Sequence, residues 1–193
     1  MTKLIALVDG SIYSESVCDH AAWIAGRNGA EIELLHVLGR RETSSEPANL
    51  SGNITLGARS ALLEELSALD EQRAKLAQKR GRAILEDAAA RLAAGGATKV
   101  TSKLRIGDFV ETVAELEAGA EMIVVGKRGE AADFAKLHLG SNLERVIRAS
   151  HKPVFVASRA FKPIKRFLIA YDGGTSAMKA IDYIARSDLF AGL

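Results

Sequence analysis

The chain has 193 residues, 48% hydrophobic and 26% charged, with a formal net charge of +2, the balance of a well-filled globular domain. So small a charge, with only 5% aromatic residues, argues against a nucleic-acid partner, which needs a basic field and stacking platforms. Cys18 is the single cysteine, so no intrachain disulfide can form; the four histidines show no Cys/His metal spacing, and a reducing cytoplasm is expected. No apolar run approaches the roughly 18 to 20 residues that cross a bilayer, so neither membrane anchor nor signal peptide is expected.

Leu4 to Val8 is a compact apolar run closed by Asp9-Gly10-Ser11, and Ser14 or Ser16 is placed to cap a helix running toward Gly29. Glu31 to Leu38 reads as a second strand, its continuous apolar centre suited to a parallel sheet covered on both faces. Between Gly39 and Ala58 the composition turns to Arg, Glu, Ser, Pro, Asn and Gly, which predicts a mobile surface loop of about 20 residues. From Ser60 the apolar residues Leu62, Leu66, Leu69, Leu76 and Ala83 recur at helical spacing, and Ile84, Ala88 and Leu92 continue the pattern to Gly95-Gly96. A helix that outruns a compact domain either lies beside a partner or carries a solvated end, and Arg73 and Arg80 on the leucine stripe suggest an incomplete coiled-coil seam; the plainer reading is a long amphipathic helix packed on its own sheet. Thr98 to Ile106 alternates as a third strand, Gly107-Asp108 opens a helix through Val110, Val113 and Leu116, and Met122 to Val125 is a fourth strand. A helix from Ser141 to Ala149 and a fifth strand, Val154 to Ala157, complete the alternation. Five strands alternating with helices imply a parallel α/β sheet, whose ligands bind at the carboxyl ends of strands where the winding reverses.

The fourth strand ends in Gly126-Lys127-Arg128-Gly129, answered eleven residues later by Gly140-Ser141-Asn142 at the start of a helix. Closely spaced glycines let backbone approach a ligand, and the helix N-terminus presents free N–H groups and a positive dipole end, so phosphate is the natural occupant. A lone glycine pair is explained equally well by a turn requiring positive φ, and Ser141 equally by an ordinary N-cap. Lys127 and Arg128 can neutralise phosphate charge or simply be solvated. Asp9 cannot face phosphate unaided, so with Gly10 and Ser11 it is expected at ribose hydroxyls or at a phosphate-bridging Mg²⁺; otherwise it forms an Asx turn before Gly10. His36 lacks a spaced nucleophile and reads as a sheet histidine, and Cys18 as buried filler.

Leu4-Ile5-Ala6-Leu7-Val8-Asp9-Gly10 recurs as Phe167-Leu168-Ile169-Ala170-Tyr171-Asp172-Gly173 at constant offset, with Asp19 and Ala22 falling on Asp182 and Ala185. This predicts a full domain over 1–158, then a linker and partial repeat over 159–193 supplying one strand and one helix. So short a repeat cannot bury its own faces: residues 164–193 are expected to dock on the main domain, to pair with a second chain, or to belong to a truncated tandem protein.

Val8-Asp9-Gly10-Ser11, Leu35-His36-Val37, and Val125-Gly126-Lys127-Arg128-Gly129 with Gly140-Ser141 together resemble the universal stress protein family, tandem-domain type. The resemblance implies a Rossmann-like (HUP-type) three-layer α/β/α sandwich with a five-stranded sheet of order 3-2-1-4-5 and dimerisation through or beside the fifth strand. In one subgroup it also implies ATP bound across the first and fourth strands, with Val37 offering backbone or apolar contact to adenine. That subgroup carries Gly, two residues, Gly, nine residues, Gly and Ser or Thr; here the spacer Glu130 to Leu139 has ten. One extra loop residue costs little closure entropy.

The expectation is an ATP-binding stress-response regulator that signals by occupancy, with at most slow hydrolysis because no general base or arginine finger is apparent. The alternative is a nucleotide-free dimerisation module of the same fold. An adenylate-forming or ATP-pyrophosphatase enzyme ranks below both, since the chain lacks the Ser-Gly-Gly phosphate loop and His-Ile-Gly-His motif such enzymes resemble.

Overall fold

Five short apolar runs pair into one sheet in the computed structural model, which describes residues 2–39, 42, 56–129 and 140–193. The strands are β1 (Lys3–Leu7), β2 (Glu31–Leu38), β3 (Val100–Ile106), β4 (Met122–Gly126) and β5 (Val154–Ala157). All pair in parallel in the order β3-β2-β1-β4-β5. The chain winds outward from β1 through β2 to β3, returns to β4 on the other side of β1, and ends at β5. The winding therefore reverses between β1 and β4, where Leu4 faces Met122 and Ala6 faces Val124.

Alternation along each strand divides the core. Leu4, Ala6 and Val8, with Ile32, Leu34, Met122 and Val124, face α1 (Ser14–Asn28) and α2 (Leu56–Ala94). Ile5, Leu7, Leu35, Ile123 and Val125 face the opposite side, against Val113 of α3 (Phe109–Glu117) and Leu143 and Val146 of α4 (Ser141–Ala149). Helices on both faces explain why the central strands read as continuous apolar runs. The expected three-layer fold and strand order are both observed. No helix among the described residues is long and apolar enough to cross a membrane.

Helix ends follow local chemistry in most places. Gly29 closes α1 with φ 68° and donates its N–H to Ala25 O, and Asp108 caps α3 by accepting from Val110 N and Glu111 N. The start of α1 differs from expectation: Tyr13 is the N-cap, with no side-chain cap bond, and Ser14 lies inside the helix. Its hydroxyl serves the preceding loop instead. Neither Ser14 nor Ser16 caps the helix; Ser16 Oγ lies 3.2 Å from His20 Nδ1.

The long helix packs on its own domain through its carboxyl half and carries an exposed amino-terminal half. Its carboxyl half buries Gly81, Leu85, Ala88 and Leu92, and Arg91 grips Asp19 of α1 through two hydrogen bonds of 2.8 and 2.9 Å. From Ser60 to Arg80 no residue is buried. The segment from 43 to 55, most of the expected surface loop, and the spacer Glu130 to Leu139 lie outside the described residues.

The repeat forms only in part. Helix α5 (Thr175–Arg186) is present, but residues 161–172 form no strand, correcting the expectation of a second strand there. A strand exists only through its ladder: β1 is held between β2 and β4, whereas its copy has no such neighbours among the described residues, and Leu168 is 95% exposed. The turn after the absent strand is nevertheless reproduced. Asp9 Oδ1 accepts from Ser11 N at 3.0 Å with Gly10 at φ 77°, and Asp172 Oδ1 accepts from Gly174 N at 2.8 Å with Gly173 at φ 80°. An Asx turn needs only its own residues and a glycine that tolerates positive φ.

The tail docks on α1. Leu189, in a 3₁₀ turn at Asp188–Phe190, is fully buried in the α1/α2 core, Arg27 Nε donates to Leu189 O at 2.6 Å, and Arg27 Nη2 donates to Ala191 O. Phe190 meets Phe167 and Tyr183 edge-on, and Phe161 meets the ring of His20 edge-on at 5.0 Å.

Candidate functional site

The carboxyl ends of β1 and β4 bring Asp9, the Gly126–Gly129 turn and the start of α4 together. After Val8, the chain is turned by one hydroxyl: Ser14 Oγ accepts from Asp9 N (3.1 Å) and Gly10 N (3.0 Å) and donates to Asp9 Oδ1 (3.1 Å). Ser11 N also donates to Asp9 Oδ1, and Ser11 Oγ accepts from Tyr13 N. One carboxylate oxygen of Asp9 is therefore committed to its own loop. The other, Oδ2, points at Gly129, where an added Cβ would lie only 2.8 Å from it.

Proximity requires a glycine at position 126; at 129 an added Cβ meets only the movable end of the Asp9 side chain, and at 140 the contacts are ordinary. None of Gly126, Gly129 and Gly140 has positive φ, so the left-handed-turn explanation does not apply. A Cβ at Gly126 would lie 2.7 Å from Tyr13 Cβ and 3.1 Å from Arg128 O, and one at Gly140 would lie 3.4 Å from Arg128 Cα and 3.7 Å from Gly129 N. Gly140 N donates to Lys127 O, closing the two glycine clusters on each other, while Lys127 N donates to Ala157 O of β5. Gly140 is the N-cap of α4 and has no side-chain cap bond. Ser141 is the first helical residue rather than the cap, and both it and Asn142 are exposed. An exposed helix N-terminus with no side-chain cap, beside a close-packed glycine turn, is a geometry that can accept an anion.

Val37 stands apart from this cluster. It lies one strand over, half-buried, and packs with the α3/α4 side of the core. Lys127 is exposed and Arg128 partly so. Among the described residues no group of three or more His, Cys, Asp or Glu could hold a metal, so any Mg²⁺ at Asp9 would need the ligand's own phosphate oxygens. His36 is the sheet histidine expected: it is buried, and its Nδ1 donates to Val8 O at 2.7 Å, since a carbonyl only accepts. Burial pushes the Cys18 thiol up to about 12, opposed mainly by the charge of Arg91. That thiol is inert filler.

Four residues that shape the site escaped the sequence reading. Ser14 and Tyr13 hold the two loops, Ile84 of α2 lies over Gly10, and Gly81 lets α2 settle onto His36 and Leu104. A Cβ at Gly10 would fall 2.9 Å from Ile84 Cδ1, and one at Gly81 would fall 2.7 Å from Leu104 Cδ1. Gly81 carried a usable signal, because a glycine inside an otherwise strong helical pattern marks close packing. Ser14, Tyr13 and Ile84 carried none beyond their type.

The chain matches the family model described as "Universal stress protein family" over residues 1–158. It is 36% identical over 194 residues to a universal stress protein of Synechocystis sp., an alignment covering 100% of this chain and 68% of that protein. Its structure is similar to that of a universal stress protein from Archaeoglobus fulgidus, with TM-score 0.60 and 21% identity over 95% of this chain and 61% of that one. It is also similar to a universal stress protein solved in complex with cAMP, with TM-score 0.53 and 22% identity over 82% of this chain and 98% of the other. At these identities the structural likenesses bear on the fold.

Proposed function

Because the chain belongs to the universal stress protein family, we propose that it binds a nucleoside phosphate, ATP in the first instance, at the switch between β1 and β4 and acts as a stress-response regulator. The observation that carries this reading is the convergence of three elements at one switch point: Asp9, the close-packed Gly126–Gly129 turn and the exposed N-terminus of α4. The relative solved with cAMP supports a nucleotide of this general class. Backbone N–H groups of the glycine turn, with Ser141 and Asn142, would hold phosphate oxygens. Lys127 and Arg128 would supply charge, and Asp9 Oδ2 would face a ribose hydroxyl or a nucleotide-bound Mg²⁺. Gly10, Ser11 and Val37 would line the nucleoside side.

Binding, not turnover, would be the signal. Asp9 Oδ1 is already tied to Ser11 and Ser14, which suits a positioning carboxylate better than a base. Occupancy would bias a dimer made beside β5 or a partner surface. Residues 159–193 would then be the start of a tandem repeat. The nucleotide-free interaction module remains the rival.

Nucleotide-stripped protein titrated with MgATP separates the two. A ligand present at 100 times its dissociation constant stabilises by about 2.7 kcal/mol, which raises the melting temperature by about 5 to 11 °C for a chain of this size. In Gly129→Val the new side chain fills the cradle and meets only the Asp9 carboxylate, so the shift should vanish while the unliganded protein still folds. Gly126→Val is unsuitable, since it drives into Tyr13 and backbone. Absence of heat and thermal shift in the parent protein would refute the proposal, and an unchanged shift in Gly129→Val would move the site elsewhere.

A further inference from the structure

The amino-terminal half of α2 is built to meet another helix. From Ser60 to Arg80 it is an exposed arm about 30 Å long, and Leu62, Leu69 and Leu76, at 39%, 53% and 68% exposure, recur every seven residues along it. Assigning them to d makes Leu66, Arg73 and Arg80 the a residues, a heptad seam that the fold leaves in solvent. The charges are segregated with equal regularity. Between Ser60 and Glu71 every charged side chain is a carboxylate, and between Gln72 and Leu85 every one is a cation.

We propose that this arm pairs with the same arm of a second copy of the chain as an antiparallel two-stranded coiled coil. A parallel pair would set acid against acid and base against base along its whole length; the antiparallel pair sets each acidic half against a basic one. The sequence also specifies the register. Antiparallel packing brings a residues opposite d residues, and one dyad near residues 71–72 satisfies every layer: Leu66 meets the partner's Leu76, Leu69 the partner's Arg73, and Leu62 the partner's Arg80. In that register Glu65 at g faces the partner's Lys79. The arginines at a lay their methylene stems on leucine, and a polar residue at a selects this pairing over alternative oligomers. This pairing does not depend on nucleotide binding or on a dimer made beside β5.

The test uses the full chain with Cys18→Ala, leaving no native thiol. Gln72→Cys places one thiol beside the dyad, and Ala68→Cys places one at an exposed c position on the outer side of the same helix. A short bismaleimide should give covalent dimers at 72 with at least tenfold the yield at 68, and this readout is blind to contacts beside β5. Leu69→Glu, at a side chain exposed in the monomer, should abolish the cross-link and leave the melting temperature of the monomer unchanged. In the same background, Glu65→Lys and Lys79→Glu should each reduce the yield, and the two together should restore it. Equal yields at 72 and 68, no effect of Leu69→Glu, or failure of the double exchange to restore the yield would overturn the proposal.

Discussion

Leu189→Ala tests whether the tail belongs to the core. Leu189 is fully buried among α1 and α2 residues, and the carbonyls of Leu189 and Ala191 both accept from Arg27. Truncating a buried leucine costs about 2 to 5 kcal/mol, depending on how far the surroundings collapse into the space. Here the residue sits in a three-residue 3₁₀ turn, a short element that can follow its core neighbours inward, so the low end applies, about 2 to 3 kcal/mol. At the entropy of unfolding for a chain of this size, that lowers the melting temperature by about 4 to 12 °C. Differential scanning calorimetry reads the shift directly. Arg27→Met removes the two hydrogen bonds holding the same turn, so the double variant should lose less than the sum of the singles, because either change alone releases the turn. A melting temperature within about 1 °C of the parent, or strict additivity with Arg27→Met, would refute the claim that the tail is an integral part of this core.

Two predictions concern buried ionisable groups. Burial opposes ionisation of Glu117, but hydrogen bonds from the Ser150 hydroxyl and His151 N outweigh it and hold the pKa below its ordinary value of 4.5. Stability from this group is therefore fully present above that value and is lost as the pH falls through the lowered one, so Glu117→Gln should flatten the acid limb of a stability profile measured by urea melts. An acid limb as steep as the parent's would contradict this. Cys18, with its thiol pushed up to about 12 in a buried site, should resist Ellman's reagent at neutral pH in native protein and react fully in denaturant. Rapid native labelling would show that the helix opens far more readily than its packing implies.

The strands and helices were legible because each is written in local periodicity. The bounds expected for β2, α4 and β5 are those observed, and the apolar strand centres required helices on both faces. The meeting of the two glycine clusters was legible as a place, at the end of β4, because glycines and a helix start announce themselves in one dimension. What those glycines touch was not. Gly126 is held to glycine by Tyr13 and by the backbone of Arg128, and Gly129 lies against the Asp9 carboxylate; Tyr13 and Asp9 are more than 110 residues earlier in the chain, and no local pattern encodes that proximity.

The contrast is sharpest between two segments of similar pattern, Leu4–Gly10 and Phe167–Gly173. By itself the sequence determined the Asx turn and positive-φ glycine after both Leu4–Val8 and Phe167–Tyr171, since such a turn is made from its own atoms. Only the tertiary structure decided that the first copy is a central strand and the second an exposed segment, because a strand's hydrogen bonds belong to its neighbours. In the same way the heptad of α2 was visible as a stripe, but which half packs on the sheet and which half stands free depended on where β2, β3 and α1 end. Sequence determines what is local, and the fold decides what touches.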